Sequence, residues 1–428
     1  NRFYANALAR HIAGTDPKIR RVFDQWKATP ALDSPLEKNQ DLKSVVLEET
    51  PWVRQAQNES QARKNVGVLF DDNRLSYETE KTLQKLAEAQ LGDGAWPWFP
   101  GGRANDYITL YIVTGFGRLR HLGVDVKVDP AVRALNRLDS WIDERYRDIL
   151  KHSKKEGNHL STTIALYLYG RSFFLKDKPI AAPHKEAVDY FLDQARKYWL
   201  QLGERQSQGH LALALKRFNA FNASNDSTPL DVMKSLKERA VTSEEMGLFW
   251  RDTELSWWWY RAPIETQVVM IEAFDEVAND AQAVEECRVW LLKQKQTQDW
   301  KTTKATADAV YALLLRGRDL LASDALVEVT LGGVKITPGK EPIANRQSPI
   351  ATSPEPGTGF YERRFVGPEI KSSLAQITVK KTDPGGAWGS VHWQYLEDMT
   401  KLTPYEGTPL KLKKTLFTKK HPTRGPVL

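Results

Sequence analysis

Two stretches far apart in the chain share one pattern: a helix end, a cluster of glutamine, aspartate and tryptophan, and then a new helix. They are QKLAEAQLGDGAW (84–96) and WLLKQKQTQDWKTTKATADAVYALLLRG (290–317). Such internal similarity is typical of repeated helical hairpins, which bury their apolar faces only against one another. We therefore predict a mainly α fold in which the tryptophan covers the junction between successive hairpins.

Helical periodicity continues up to about Leu321. Aspartate opens three runs whose apolar residues have helical spacing: Asp16-Pro17 (Ile19, Val22, Phe23, Trp26), Asp106 (YITLYIVTGFGRLRH) and Asp129-Pro130 (Val132, Leu135, Leu138, Ile142, Tyr146). Aspartate is a favourable N-cap, so we expect Asp106 to cap its helix and Gly123 to end it. Gly115 and Gly117 lie inside this helix, where glycine costs about 1 kcal/mol, and they predict a close helix–helix approach.

From Ala325 the apolar period changes to two. LVEVTL alternates Val327, Val329 and Leu331 with polar residues, and Gly332-Gly333 offers a tight turn into VKI. Residues 337–359 are rich in proline and polar residues and predict a long loop, after which SLAQITVKK and GSVHWQYLE again suggest strands. The C-terminal part is therefore expected to be a smaller β region.

Composition and charge exclude several function classes. The 428 residues are 41% hydrophobic and 27% charged, and no apolar stretch has the length of a bilayer span, so we expect a soluble piece. The net charge of +7 is concentrated in residues 401–428, which leaves no broad basic surface for nucleic acid. Cys287 is the only cysteine, so no internal disulfide can form, and its helical pattern predicts a core residue.

The aromatic loop LGDGAWPWFPGGRANDYIT (91–109) is open to three interpretations: a sugar platform, the mouth of an enzyme cavity, or a junction between hairpins. As an enzyme site, Asp93 and Asp106 could face each other across a glycosidic bond, with Trp96 and Trp98 for stacking. We favour the junction, because Asp93 suits a turn and Asp106 an N-cap.

Other candidate sites have weaker support. The run Trp257-Trp258-Trp259-Tyr260 could stack on sugars but is more consistent with core packing. Asp71-Asp72 is the nearest match to the clustered aspartates that a terpenoid cyclase needs. The histidines have no metal-ligand spacing, and Gly101-Gly102 belongs to no phosphate-binding pattern, so we predict no metal, cofactor or catalytic residue.

The alternation of helices and QxxDGxW-like junctions resembles the α/α toroid of terpenoid cyclases and complement thioester domains. Four segments in order, NRFYANALARHI, DGAWPWFPGG, ELSWWWYRAPIETQVVMIEAF and PLKLKKTLF, resemble bacterial alpha-2-macroglobulin-like proteins. The resemblance implies a toroid over residues 1–321, part of a CUB-like β-sandwich over 322–408 and the start of a macroglobulin-type domain over 409–428. Its structural signature residues would be Asp93, Gly94, Trp96, Trp98, Gly101, Gly102 and Asp106.

The same resemblance implies a non-catalytic fragment of a secreted or lipid-anchored endopeptidase inhibitor at the bacterial periplasm or cell surface. Its partners would be target proteases and neighbouring macroglobulin-type domains. The family's thioester joins a cysteine to a glutamine three residues later; Arg288, Val289 and Trp290 follow Cys287, so this cysteine cannot form it. His159 is the candidate for assisting acyl transfer. The alternative is a carbohydrate-active or terpenoid-type toroid enzyme.

Overall fold

The computed structural model describes residues 1–15, 72–251, 263–297, 302–315, 327–336 and 365–382, short pieces at 419–421 and 425–427, and isolated single residues between them. Two compact units divide the chain, Asn1–Gly385 and Gly386–Leu428. The predicted run from Ile19 to Trp26, the loop 337–359, the strand GSVHWQYLE and the Trp257–Tyr260 run lie wholly or mostly outside the described residues.

The described part of the first unit is mainly helical, as predicted. Its helices are α1 (Arg2–Thr15), α2 (Asp72–Glu88), α3 (Asp106–His121), α4 (Asp129–His152), α5 (Thr162–Ser172), α6 (Ala182–Tyr198), α7 (Arg205–Phe221), α8 (Thr228–Glu238), α9 (Pro263–Ala273), α10 (Ala281–Thr297) and α11 (Thr303–Leu314). A π-helical turn, Phe274–Ala278, extends α9.

The odd-numbered helices form a closed inner ring. Each of α1, α3, α5, α7 and α9 contacts the next odd-numbered helix, and α11 contacts α1. The even-numbered helices form an outer layer, in which α2, α4, α6, α8 and α10 each pack on the inner helix that precedes them in the chain. This alternation of inner and outer helices is the architecture of an α/α toroid.

The amphipathic character of α4 shows why the outer helices take their positions. Pro130 lies in its first turn, where proline's missing N–H is not needed, and the predicted stripe residues Leu135, Leu138, Ile142 and Tyr146 are buried. An inner helix is instead buried around most of its surface: all but one residue of α9 is buried. A helix of that kind is stable only inside a second layer of helices.

Close approach within the ring explains Gly117 but not Gly115. A Cβ atom at Gly117 would overlap the ring of Phe173 at the end of α5, so glycine is needed for the α3–α5 contact. A Cβ atom at Gly115 would meet only Cδ2 of Tyr4, at an ordinary 3.8 Å. The close-approach prediction is therefore confirmed at Gly117, whereas Gly115 borders open space.

The predicted β hairpin is present. Strands β3 (Glu328–Leu331) and β4 (Val334–Ile336) pair antiparallel across Gly332-Gly333, with Leu331 opposite Val334. Strand β5 (Ile377–Lys380), within the predicted SLAQITVKK segment, pairs with the other edge of β3. Two short pairs complete the described strands: β1 (Val241–Ser243) with β2 (Gly247–Phe249), and, in the second unit, β6 (Lys419–His421) with β7 (Gly425–Val427).

Candidate functional site

A cavity of about 650 Å³ lies where the inner helices begin. Its walls come from the starts of α1, α5, α7 and α11 and from one face of α3, together with the face of α2 that carries Glu78, Lys81 and Lys85. Aromatic and aliphatic side chains form part of the wall: Phe3, Tyr4, Tyr107, Tyr111, Phe116 and Leu166. A cavity of this size with a few convergent polar groups is the usual form of a small-molecule site.

Paired charges line the cavity where α3 meets α11. The guanidinium of Arg118 lies 3.0 Å from one carboxylate oxygen of Asp308, and Nζ of Lys304 lies 3.1 Å from the other. Lys304 also contacts Glu265, on α9, at 3.2 Å. Burial raises the pKa of Glu265, and the positive charge of Lys304 opposes that rise. These charges can stay ionised away from water because they pair with one another.

The network of ion pairs extends from the cavity wall to the centre of the ring. Arg118 lies 3.9 Å from Glu272, and the hydroxyl of Tyr169 accepts a hydrogen bond from Arg118 and donates one to Glu272. Arg217 on α7 pairs with Glu272 at 2.7 Å. Burial alone would raise the pKa of Glu272, but Arg217 and Arg118 hold that pKa below its ordinary value. Helices α3, α5, α7, α9 and α11 are therefore joined by one buried network.

His210 is a neutral polar group in the cavity wall. Its ring stacks on Tyr169 with centroids 4.6 Å apart. Burial, assisted by the positive charge of Arg118, lowers the pKa of His210 to about 3. Among the described residues no hydrogen bond to its ring nitrogens is present, so at neutral pH the imidazole can offer both a donor and an acceptor.

The low pKa of His210 predicts a dependence of stability on pH. Between pH 6.5 and about 3 the unfolded chain binds a proton at this residue and the folded chain does not, so the free energy of unfolding falls as pH falls. The contribution is about 1.4 kcal/mol per pH unit at most. Denaturant unfolding at a series of pH values should show a shallower decline for His210→Gln than for wild type. Parallel curves would show that His210 does not carry this dependence; His152, which is exposed, provides a matched control in His152→Gln.

Trp96 joins the end of α2 to the start of α3. The side chain is 1% exposed, and its indole N–H donates to the carbonyl of Leu86 at 2.8 Å. Its backbone N–H donates to the hydroxyl of Thr109. In the second copy of the pattern the indole N–H of Trp300 donates to the carbonyl of Leu291 in α10, before α11 begins. The indole N–H of Trp250 likewise donates to the carbonyl of Leu236 in α8. Trp96 is thus buried between α2 and α3 and hydrogen-bonded to both, the position that the junction prediction requires.

The other rings of the loop do not have this role. Trp98 is 51% exposed and Phe99 is 70% exposed, and they contact each other edge to face at the tip of the loop. Gly101 and Gly102 form the return of this tip, with Gly102 N–H bonded to the carbonyl of Phe99. The prediction that all the loop's large rings lock hairpins together is therefore wrong for Trp98 and Phe99.

The two aspartates of the loop contact one arginine. Asp93 accepts from the backbone of Ala95 in a turn, as predicted, beside Gly94, whose φ is +87°. The predicted N-cap was wrong by one residue: Asn105 caps α3 by accepting from Ile108, and Asp106 is the first helical residue. The guanidinium of Arg137 lies 3.9 Å from the carboxylate of Asp93 and 3.2 Å from that of Asp106, so it forms an ion pair with each.

His159 and Cys287 both have structural surroundings. The imidazole Nε2 of His159 lies 2.9 Å from the carbonyl of Lys154 within the loop between α4 and α5, away from the residues that line the cavity. Cys287 is fully buried in α10, and burial raises the pKa of its thiol. The core position predicted for Cys287 is confirmed. Asp72 begins α2, and Asp71 lies outside the described residues.

One group of possible metal ligands appears among the described residues, and sequence spacing did not indicate it. Ligand atoms of His121, Glu272 and Glu276 lie within 4.8 Å of one another. Arg217, however, forms ion pairs with both glutamates, so a guanidinium already neutralises the charge that a cation would need. The donor set therefore does not fit a resident metal ion.

Comparison with known proteins gives weak structural similarity. Escherichia coli alpha-2-macroglobulin activated by porcine elastase is 13% identical, with a TM-score of 0.40, and the match covers 62% of this chain and 22% of that one. The native conformation of the same protein gives 14% identity, a TM-score of 0.38 and coverage of 61% and 15%. The matched part of the chain thus spans 22% and 15% of the length of those two chains. No family model and no curated protein matches the sequence. Similarity at this level supports no conclusion about function.

The sequence did contain a signal for the buried network, which the analysis of spacing missed. Arg118, Glu272 and Asp308 each have apolar neighbours on both sides in the chain: Gly117 and Leu119, Ile271 and Ala273, and Ala307 and Ala309. A charge in such a run must find a partner inside the fold. The pattern indicates that the charges meet, but it does not indicate which charge pairs with which.

No described helix combines the length and apolar character that crossing a bilayer requires.

Proposed function

We propose that this chain is part of a protease-trapping inhibitor related to the bacterial alpha-2-macroglobulins. The observation that carries the proposal is the closed ring of inner helices, in which the family-like segments hold defined places. NRFYANALARHI lies in α1, DGAWPWFPGG joins α2 to α3, and PIETQVVMIEAF spans α9 and its extension. The β3–β5 sheet then follows the ring, in the order that the resemblance implies.

In this proposal the toroid has a mechanical role. Its outer surfaces pack on neighbouring macroglobulin-type domains, and the whole protein encloses a protease after the protease cuts it. The toroid extends over residues 1–321, a partial CUB-like domain over 322–408 and the start of a further domain over 409–428. Its place would be the periplasm or cell surface. Cys287 supplies no thioester, because it is buried and lacks the family's glutamine.

A second candidate function is that of a toroid enzyme acting on carbohydrate. The cavity at the start of the inner helices favours it, since Asp308 lines the cavity and Lys304 links it to a second, buried carboxylate, Glu265. Lys304 lies between them and pairs with both, and Arg118 holds Asp308 as well. General acid–base hydrolysis needs one protonated and one ionised carboxyl group, whereas pairing with cations favours the ionised form of both. The ion pairs therefore count against the enzyme function and in favour of the inhibitor function.

The test uses the full-length protein that contains this chain and a panel of serine proteases. A trapped protease keeps its activity on a small chromogenic peptide and loses activity on a large protein substrate, because only the small substrate diffuses into the enclosure. We expect that split for at least one protease. The same protease with a blocked active site is the control, since it cannot trigger trapping and should not be retained. Equal activity on both substrates for every protease would overturn the proposal.

A further inference from the structure

The cavity at the start of the inner helices has a positively charged rim. Among the described residues that line it, the charged side chains that are fully exposed are all cations: Arg2 at the start of α1, and Lys81 and Lys85 on α2. We call these three residues the cationic rim. Lys81 and Lys85 are one helical turn apart, so their side chains lie on the same face of α2.

The cationic rim has no carboxylate partner within the described part of the chain. Nζ of Lys81 lies 5.2 Å from the centroid of the Tyr77 ring, on the same helix. Arg2 and Lys85 form no ion pair or side-chain hydrogen bond with other described residues. An anion could therefore contact these cations without displacing a carboxylate that already neutralises them.

The acidic residues that line the cavity are less exposed than the cationic rim. Asp308 is buried and already pairs with Arg118 and Lys304. Glu78 and Glu204 are half-buried. The inner charges of the cavity are therefore largely neutralised by pairing, and the exposed side chains at its rim carry an excess of positive charge.

The directions of the inner helices add to this positive charge. Helices α1, α5, α7 and α11 all begin at the cavity. The first turn of a helix has N–H groups without partners inside the helix and carries the positive end of the helix dipole, so it favours a nearby anion. The helix starts and the cationic rim thus favour negative charge in the same place.

Apolar side chains offer a second kind of contact in this cavity. Four of them line it from half-buried positions, and we call them the apolar wall: Leu86 of α2, Tyr111 and Ile112 of α3, and Leu166 of α5. Covering such surface with an apolar group is favourable roughly in proportion to the area removed from water. An inorganic anion would use the rim alone, and a neutral hydrocarbon would use the wall alone. A molecule with an apolar body and one anionic group uses both.

We propose that this cavity binds an amphipathic anion, with the anionic group at the cationic rim and the apolar body against the apolar wall. The proposal concerns reversible binding and includes no chemical step. It goes beyond the proposed inhibitor function and does not depend on it.

Two fluorescent probes separate the contribution of charge from that of apolar contact. Anilinonaphthalene sulfonate and phenylnaphthylamine share one ring system, and only the first carries an anionic group. We expect added salt to weaken binding of the sulfonate probe and to leave binding of the neutral probe unchanged, because salt screens exposed charges. Decanoate and decyl phosphate should displace the sulfonate probe, and decylamine should not. The better competitor of the two identifies the preferred anionic group.

Reversing charges on α2 tests the cationic rim. For the sulfonate probe we expect an approximately fivefold loss of affinity in Lys81→Glu and in Lys85→Glu, and about tenfold or more in the double variant. Affinity for the neutral probe should not change in any of them. Lys234→Glu, at an exposed position of α8 that does not line the cavity, is the matched control and should leave both probes unaffected.

Gly115 allows a test of the cavity itself. It lines the cavity from within α3, and an added Cβ would meet only Cδ2 of Tyr4, at 3.8 Å. Leucine there would occupy part of the cavity, so we expect both probes to lose about tenfold or more in affinity. Gly14→Leu in α1, where no atom lies within 4 Å of an added Cβ, is the control. Thermal melting establishes that each variant is folded.

Three results would overturn the proposal. They are equal effects of the α2 reversals on the two probes, displacement of the sulfonate probe by decylamine as readily as by decanoate, and unchanged binding of both probes to a folded Gly115→Leu variant. The last result would place the probes on apolar surface elsewhere. Protease trapping is measured separately, so a protein that binds the anion without trapping, or traps without binding the anion, identifies which proposal has failed.

Discussion

Replacing Trp96 with alanine is expected to lower the free energy of unfolding by about 3–5 kcal/mol. The ring is almost completely buried at the junction of α2 and α3, so its loss leaves a large cavity there. It also leaves the carbonyl of Leu86 without the donor that satisfies it at the end of α2. Urea unfolding followed by circular dichroism measures the change.

Trp98→Ala is the matched control, because it removes the same side chain two residues later. Trp98 is half exposed, and we expect a change within about 0.5 kcal/mol. Trp96→Phe separates packing from hydrogen bonding, since it keeps most of the ring and removes the N–H donor. Equal effects of the alanine substitutions at Trp96 and Trp98 would contradict the junction role of Trp96.

Replacing Arg118 with methionine is expected to cost about 3–5 kcal/mol, the usual effect of removing one partner from a buried ion pair. Arg118 is the cation that links Asp308 to the Tyr169–Glu272 pair in the centre of the ring. Without it, Asp308 keeps its contact with Lys304, and Glu272 keeps Arg217 and the hydroxyl of Tyr169. Methionine fills much of the same volume, so the loss reports on charge more than on packing.

The pH dependence of this loss provides an independent check. In wild type Arg217 and Arg118 hold the pKa of Glu272 below its ordinary value, so its contribution to stability is complete above that ordinary value and is lost as pH falls through the folded value. Without Arg118 that pKa rises, and the variant has less of this contribution to lose. The difference between wild type and Arg118→Met should therefore shrink in acid. Arg145→Met, at an exposed position of α4, is the control, and a similar small loss for both variants would contradict the network.

The features that the sequence predicted well depend on local physics. The start of α4 at Asp129-Pro130, the turn at Asp93-Gly94 and the β3–β4 hairpin follow from backbone preferences of a few adjacent residues. The repeat around Trp96 and Trp300 was visible because each tryptophan bonds a carbonyl only nine or ten residues earlier in the chain.

What the sequence did not predict depends on contacts between distant residues. Trp96 and Trp98 are the same residue type in one loop, but Trp96 is buried with hydrogen bonds to α2 and α3 whereas Trp98 is exposed. Arg118 and Asp308 are 190 residues apart, so their pairing follows from ring closure alone. The sequence also misplaced the cap of α3 by one residue, because Asn and Asp are both good caps. The extended backbone of Asn105, with φ −123° and ψ 112°, makes it the cap.

The closed ring also has a consequence for the kinetics of folding. Contacts among the inner helices join neighbours in the chain at every step except one, where α1 meets α11 across almost the whole described helical region. Local contacts form fast, whereas closing a long loop carries an entropic cost before it gains any contact. The α1–α11 seam should therefore form last, so that the folding intermediate is an open arc of helical hairpins and the seam is the first place where the native ring opens.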